Sequence, residues 1–161
     1  MDKVVSLKKA PKIRKTSTPL PHISFNETMH YLKCYYVDDG ASLKDKKIIQ
    51  FIDTEVSNKK RAYKSQDIKK GKYNKDTFIT QEQIYEKMIS SKMLCYYCKR
   101  EVVVLYRTTR QPSQWTLERI DNAHGHTNIN TVIACLDCNL KRGCRNSDDF
   151  QFAKQLTIKK I

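Results

Sequence analysis

Cys95-Tyr96-Tyr97-Cys98 and Cys135-Leu136-Asp137-Cys138 are two CxxC pairs separated by 36 residues. Two intervening residues let both sulfurs of a pair turn toward one point. A chain that folds back to superpose the pairs then surrounds one Zn²⁺ with four thiolates in a tetrahedron. Four sulfurs saturate that ion and leave no position for water, so Cys95, Cys98, Cys135 and Cys138 are expected to form a structural zinc site that organises its surroundings rather than reacting. Two independent redox pairs or ordinary buried thiols are the alternatives. Cys34 and Cys144 have no CxxC partner and read as simple thiols, with ligation by Cys144 the lesser alternative.

Between and just beyond the pairs lie Glu118, Arg119, Asp121, Asn122, His124, His126, Asn128, Asn130 and Asn139. Phosphodiester hydrolysis needs a base to activate water, a cation near the phosphate oxygens, and rigid polar groups to orient both. Every one of those types is present. The competing reading is structural, because Asp, Asn and Gly also build tight loops without chemistry.

Elements must position these groups. Thr80-Gln81-Glu82-Gln83 has the form of a helix capping box, and Ile84 and Met88 give the following helix its inward stripe, delivering the chain to Cys95. Val102–Tyr106 is β-branched and aromatic enough to be a strand, and Trp115–Ile120 reads as a second short strand, followed by the polar loop DNAHGHTNIN and then Thr131–Ala134. Ser147 with Asp148 and Asp149 starts a last helix carrying Phe150, Phe152, Ala153 and Leu156. Toward the N-terminus, Ser42 caps a short helix through KDKKIIQFI, Asp38-Asp39-Gly40 reads as a turn, and YLKCYYV is strand or helix.

Charge identifies the partner class. Among 161 residues, 31 Lys and Arg outnumber 17 Asp and Glu, a formal net charge of +14. A polyanion is therefore expected, DNA first with RNA as the alternative, in a monomer or an oligomer. The run NKKRAYKSQDIKKGKYNK concentrates Lys59, Lys60, Arg61, Lys64, Lys69, Lys70 and Lys72, broken by the single acid Asp67, while Lys141 and Arg142 lie beside the second CxxC pair. These are the candidate phosphate contacts; a solvated helix and loop is the alternative. No stretch reads as a secretory signal or a membrane span, and paired thiols suit a reducing compartment, so an intracellular setting is expected, cytoplasmic or nuclear, with no membrane partner. Residues 1–22, with six basic residues and three of the four prolines, read as a flexible basic arm, residues 23–77 as a basic N-terminal region, and residues 78–161 as the zinc-supported domain.

From Phe78 to Phe152 the chain resembles the HNH endonucleases, in the four-Cys zinc variety found in phages and large DNA viruses. The resemblance rests on FITQEQIYEKMISSKMLCYYC, WTLERIDNAHGHTNINTVIACLDCNLKRG and SDDFQFAKQL, a little under half the chain. It implies an α+β fold whose core is a ββα-metal unit, and a viral host cell or virion as the setting. It also implies roles: Glu118 as an acidic ligand for a catalytic Mg²⁺ or Mn²⁺, Asn130 as the residue that holds the loop, and Asn139 as the second ligand. Arg119 stands where the family has its general-base histidine. Arginine cannot take a proton as imidazole does, so it suits a phosphate clamp, and His124 or His126 is left to activate water. The expectation is a metal-dependent DNA endonuclease, and the alternative is a catalytically inactive HNH-like nucleic-acid-binding or virion structural protein.

Overall fold

In the computed structural model the described residues are 10–16, 18–36 and 42–156. They form an α+β arrangement: α1 (Phe25–Cys34), α2 (Leu43–Lys69), α3 (Gln81–Ser90), β1 (Trp115–Arg119), β2 (Thr131–Cys135), α4 (Leu136–Arg142) and α5 (Ser147–Gln155). Three helices begin with reciprocal capping boxes, Ser24 with Glu27, Ser42 with Asp45 and Thr80 with Gln83, so their first free N–H groups are satisfied locally. Asn146 caps α5 by accepting from the N–H groups of Asp148 and Asp149.

The helix expected to be short after Ser42 is the longest element, 27 residues, which spans about 40 Å. Its inward stripe begins as Ile48, Ile52 and Val56, then continues one turn at a time as Lys59, Tyr63 and Asp67. Those last three are not aliphatic, so the apolar periodicity fades while the packing does not. The stretch Val102–Tyr106 departs from expectation in the other direction. Val102, Val104, Leu105 and Tyr106 are buried, but Val102 donates to Met93 and Val103 to Ser113. The backbone is thus satisfied by separate partners, and only isolated bridges, not a continuous ladder, form there.

β1 and β2 pair antiparallel, with Trp115 opposite Cys135, Glu118 opposite Val132 and Arg119 opposite Thr131. α4 follows β2 without a linker, giving a hairpin-then-helix unit against which the cysteine cluster sits. One hydrophobic cluster joins this unit to the N-terminal helices: Leu32 of α1, Ile52 and Val56 of α2, Ile84, Tyr85 and Met88 of α3, and Trp115 and Leu117 of β1. Tyr35 stacks on Tyr85 at 3.9 Å, tying α1 to α3.

The basic arm is partly docked. Ile13 bridges Thr108, the Arg14 N–H donates to Arg107 O and the Thr109 N–H to Lys12 O. The Arg14 guanidinium pairs with Glu55 of α2 at 2.8 Å and lies 4.0 Å over the Tyr106 ring. Residues 1–9 of the arm and the Asp38-Asp39-Gly40 turn lie outside the described residues. No described helix is long and apolar enough to cross a membrane.

Candidate metal centre and nucleic-acid interface

The first knuckle is closed by hydrogen bonds across it, from Cys95 N–H to Arg100 O and from Lys99 N–H to Cys95 O, with Lys99 in the left-handed region at φ 57. Tyr96 N–H donates to Ile133 O at 2.8 Å, which pins this knuckle to β2. The second knuckle is the start of α4: Cys135 is its N-cap, and its sulfur accepts from the Cys138 N–H at 3.4 Å. All four sulfurs lie within 4.8 Å of one another, with Cys98 and Cys135 at 3.9 Å. A zinc tetrahedron with Zn–S bonds of about 2.3 Å has S···S edges of about 3.8 Å, so the cluster fits that ion.

Charge makes the same point. The Cys95 thiol is held well down, to about 4, chiefly by a hydrogen bond from Cys135, and that contact together with burial drives Cys135 up. Sulfurs this crowded cannot all ionise without a cation between them. The four cysteines form a cluster capable of binding a metal ion.

The polar residues beyond the cysteines divide between the two faces of β1, because successive strand residues point oppositely. Thr116 and Glu118 face α4. Glu118 is buried and its Oε1 accepts from Arg142 of α4, whose guanidinium also donates to the carbonyl oxygens of Arg119, Ile120 and Arg145. Burial raises the Glu118 carboxyl above its usual range, and the Arg142 bond opposes that rise. Asn139 donates to Thr116 Oγ1 at 3.2 Å. Among the described residues the one fully buried side-chain polar atom without a partner is Trp115 Nε1. Glu118 Oε2, on β1, and Asn139 Oδ1, on α4, have no hydrogen-bond partner among the described residues.

Trp115 and Arg119 face α2. Arg119 Nη1 lies 4.0 Å from Asp67 of α2 and donates to His124 O at 3.2 Å. His126 is buried against Asp67, with Nδ1 2.8 Å from one carboxylate oxygen and the backbone N–H 2.7 Å from the other. Its ring packs on Tyr63 at 4.6 Å. The turn before it must be glycine: a Cβ on Gly125 would stand 2.5 Å from Lys72 O and 2.9 Å from Asp67 Oδ2. His124, by contrast, is exposed and lies 3.6 Å from Asp121.

Asn130 closes the loop between the strands. Its side chain accepts from Asp121 N–H and donates to the carbonyls of Asp121 and Gly125, while its own carbonyl accepts from Ile120 N–H. Asn122 extends the brace by donating to Gly143 O at 3.0 Å, and Lys72 Nζ donates to Asn122 O.

The basic residues sort differently from their clustering in the sequence. Arg142 is buried as a clasp, not presented as a surface cation. Lys59 is turned inward too, with its ammonium over the rings of Tyr106 and Trp115 at 4.8 and 4.7 Å and bonded to Trp115 O. Burial lowers it to about 7. Lys141 is exposed but bonded to Asp137 at 2.9 Å. Lys60 is half-buried, and Arg61, Lys64, Lys69 and Lys70 are exposed.

Every acid on α2 is engaged by a hydrogen-bond donor: Asp45 accepts from Tyr31, Asp53 from Gln81 and Tyr85, Glu55 from Arg14, and Asp67 from His126. Lys47, Arg61 and Lys64 lie opposite the buried stripe among neutral residues such as Gln50, Thr54, Asn58 and Ser65, so the outer face of the helix carries cations and no acid. Asp67 was visible in the sequence only as the one acid in a basic run, and nothing nearby marked His126 as its partner. No family model, curated protein or solved structure matches this chain.

Proposed function

We propose that the protein is a metal-dependent endonuclease of the HNH type acting on DNA. The observation that carries this reading is the α4 face of β1. Glu118 and Asn139 each have one polar atom fixed by a neighbour, Arg142 and Thr116, and a second oxygen that has no hydrogen-bond partner among the described residues. Carboxylates that hold metals are steadied in this way by outer partners. Glu118 and Asn139 would hold a Mg²⁺ or Mn²⁺ ion, and hard oxygen ligands suit such ions. When bound, that ion would supply charge stabilisation to the phosphate and the leaving oxygen. Arg119 would clamp a phosphate oxygen, Asn130 would hold the loop, and Arg61 and Lys64 on α2, with Lys69 and Lys70 at its C-terminal end, would seat the backbone of the duplex. The four-cysteine cluster would hold a structural Zn²⁺ that fixes the end of β2 against the first knuckle.

A second reading is a nucleic-acid-binding protein that does not cut. It is favoured by Arg119 at the position where a base histidine is expected, and by the Arg142 guanidinium already bonded to Glu118. The two readings separate in one experiment: metal analysis of the purified protein, followed by a supercoiled-plasmid nicking assay across divalent ions, with Glu118→Ala and Asn139→Ala in parallel. Nicking that requires Mg²⁺ or Mn²⁺ and is lost in both variants supports the endonuclease. DNA retention without divalent ions and an intact plasmid at high protein supports binding alone.

A further inference from the structure

A cavity of about 370 Å³ lies against the outer edge of β2, walled by the C-terminal end of α3 and the first cysteine knuckle. None of the residues proposed above for metal or DNA lines it. We infer that this cavity is a binding site for one nucleotide, a phosphate ester carrying a base, with the phosphate held by Lys87, Lys99 and the Ile133 N–H. The inference goes beyond the endonuclease reading and does not depend on whether the protein cuts.

The strand register supplies the first observation. Leu117 lies opposite Ile133, and the Leu117 N–H donates to the Tyr63 hydroxyl rather than across the ladder. In an antiparallel pair of that kind both residues turn their N–H and C=O groups away from each other, so those of Ile133 point to the outer edge of β2. There Ile133 O accepts from the Tyr96 N–H at 2.8 Å. The Ile133 N–H, on a residue only 2% exposed, has no hydrogen-bond partner among the described residues. Buried N–H groups are rarely left so, and Ile133 lines the cavity.

Charge supplies the second. Lys87 and Lys99 line the cavity, no carboxylate does, and neither ammonium is ion-paired among the described residues. Burial pulls the half-buried Lys87 ammonium below the ordinary lysine value. An anion alongside would offset that cost. The last carbonyls of α3 would oppose an anion if they were free. They are taken, Lys87 O by the Ser91 N–H, Met88 O by the Met93 N–H and Ile89 O by the Lys92 N–H.

The remaining lining favours a nucleotide over a bare anion. Tyr96 and Leu94 offer an aromatic and an aliphatic surface to a base. The Lys99 ammonium stands 5.4 Å over the Tyr96 ring, so a cation adjoins that surface as a phosphate adjoins its nucleoside. Ser90 and Ser91 spend their hydroxyl protons on Lys87 O and Met88 O, which leaves lone pairs for donors on a base or sugar. An added peptide strand fits less well. It would pair with Ile133 O as well as with the N–H, and Tyr96 already holds that oxygen.

The test uses the full-length, zinc-loaded protein, followed by amide NMR during titration with thymidine monophosphate, inorganic phosphate or an acidic extended peptide. The nucleotide should move the Ile133 amide to saturation and bind about tenfold or more tighter than inorganic phosphate, the share expected from stacking on Tyr96. Lys87→Gln and Lys99→Gln should each raise the nucleotide Kd about tenfold, as for a lost hydrogen bond to a charged group, with the zinc content and Tm of the parent. An end-phosphorylated single strand distinguishes the source. If it binds tighter than the free nucleotide with the same lysine dependence, the ligand is a strand end; otherwise it is a free nucleotide. The inference falls if millimolar nucleotide leaves the Ile133 amide in place, if inorganic phosphate binds as tightly, if both lysine variants keep the parent Kd, or if only the peptide moves the amide. The Ile133 signal needs no variant to fold, and none of these outcomes bears on plasmid nicking.

Discussion

Arg142 of α4 holds Glu118 of β1 and, with its remaining N–H groups, the carbonyl oxygens of Arg119 and Ile120 at 2.7 and 2.5 Å. One side chain thus stitches a helix to the end of a strand and orients the buried Glu118 carboxylate. Both side chains are at most 8% exposed. Removing one partner of a buried pair strands the other charge, at a cost of about 3–5 kcal/mol. Arg142→Ala is expected to destabilise by about that amount, read as a lower urea midpoint with unchanged slope. Pairing it with Glu118→Gln should recover a substantial part.

The cysteine cluster gives a stoichiometric prediction. Native mass spectrometry should find one Zn²⁺ per chain. A strong chelator, or Cys138→Ser, should then release the first knuckle from β2 and lower Tm sharply, because a metal site of this kind contributes its binding energy to folding. An unchanged melt after complete zinc removal would show that the core holds without it.

Gly125→Ala tests the packing of the loop on α2. A Cβ 2.5 Å from a backbone oxygen forces the loop to move, and overpacking of this sort costs about 1–3 kcal/mol. Thermal unfolding should report that loss, and zinc content should not change, since the cysteines lie at the other end of the hairpin.

Lys59 gives a stability signature in pH. Burial holds its ammonium at about 7, below the ordinary lysine value of 10.5. Between those values the unfolded chain binds the proton that the folded one releases, so stability rises as pH goes from 7 toward 10.5. Lys59→Met keeps the stem and removes the titration, and the difference in unfolding free energy between parent and variant should shrink or reverse along that interval.

DNA affinity should separate lysines that the sequence groups together. Each backbone phosphate neutralised contributes about 0.9 to the salt slope. Arg61→Ala and Lys64→Ala should each lower the slope of log K against log salt by about one. Lys59→Met should leave the slope unchanged, because its ammonium lies against Tyr106 and Trp115 rather than in solvent. Fluorescence anisotropy on a fixed duplex across salt concentrations measures all three.

The sequence made the cysteine cluster, the first strand of the hairpin and the Thr80 capping box legible, because each is a local pattern: ligand spacing, a short apolar run, a cap four residues long. Glu118 and Asn139 stood out only as polar residues flanking those patterns, and a ligand role for them came from the family resemblance alone. The sequence did not show that the polar residues divide across a strand, since that depends on which helix packs on which face. Nor did it show the length of α2. Lys59, Tyr63 and Asp67 face inward by gripping Trp115 O, Leu117 N–H and His126, and a polar side chain buried by a partner fifty residues away leaves no hydrophobic signature. Arg142 reads as a surface cation for the same reason.

α2 also sets what insertions and deletions the chain can bear. Its composition resembles a basic spacer that ought to tolerate length changes. Yet its acids meet partners at both ends, Tyr31 near the start and His126 near the finish, 22 residues apart along the helix from Asp45 to Asp67. Adding or removing one residue between them would rotate everything beyond by about 100°. Asp67 would swing out to solvent, and cations of the outer face would turn toward the core. Across any set of natural variants, this lysine-rich stretch should therefore drift in letters but not in length.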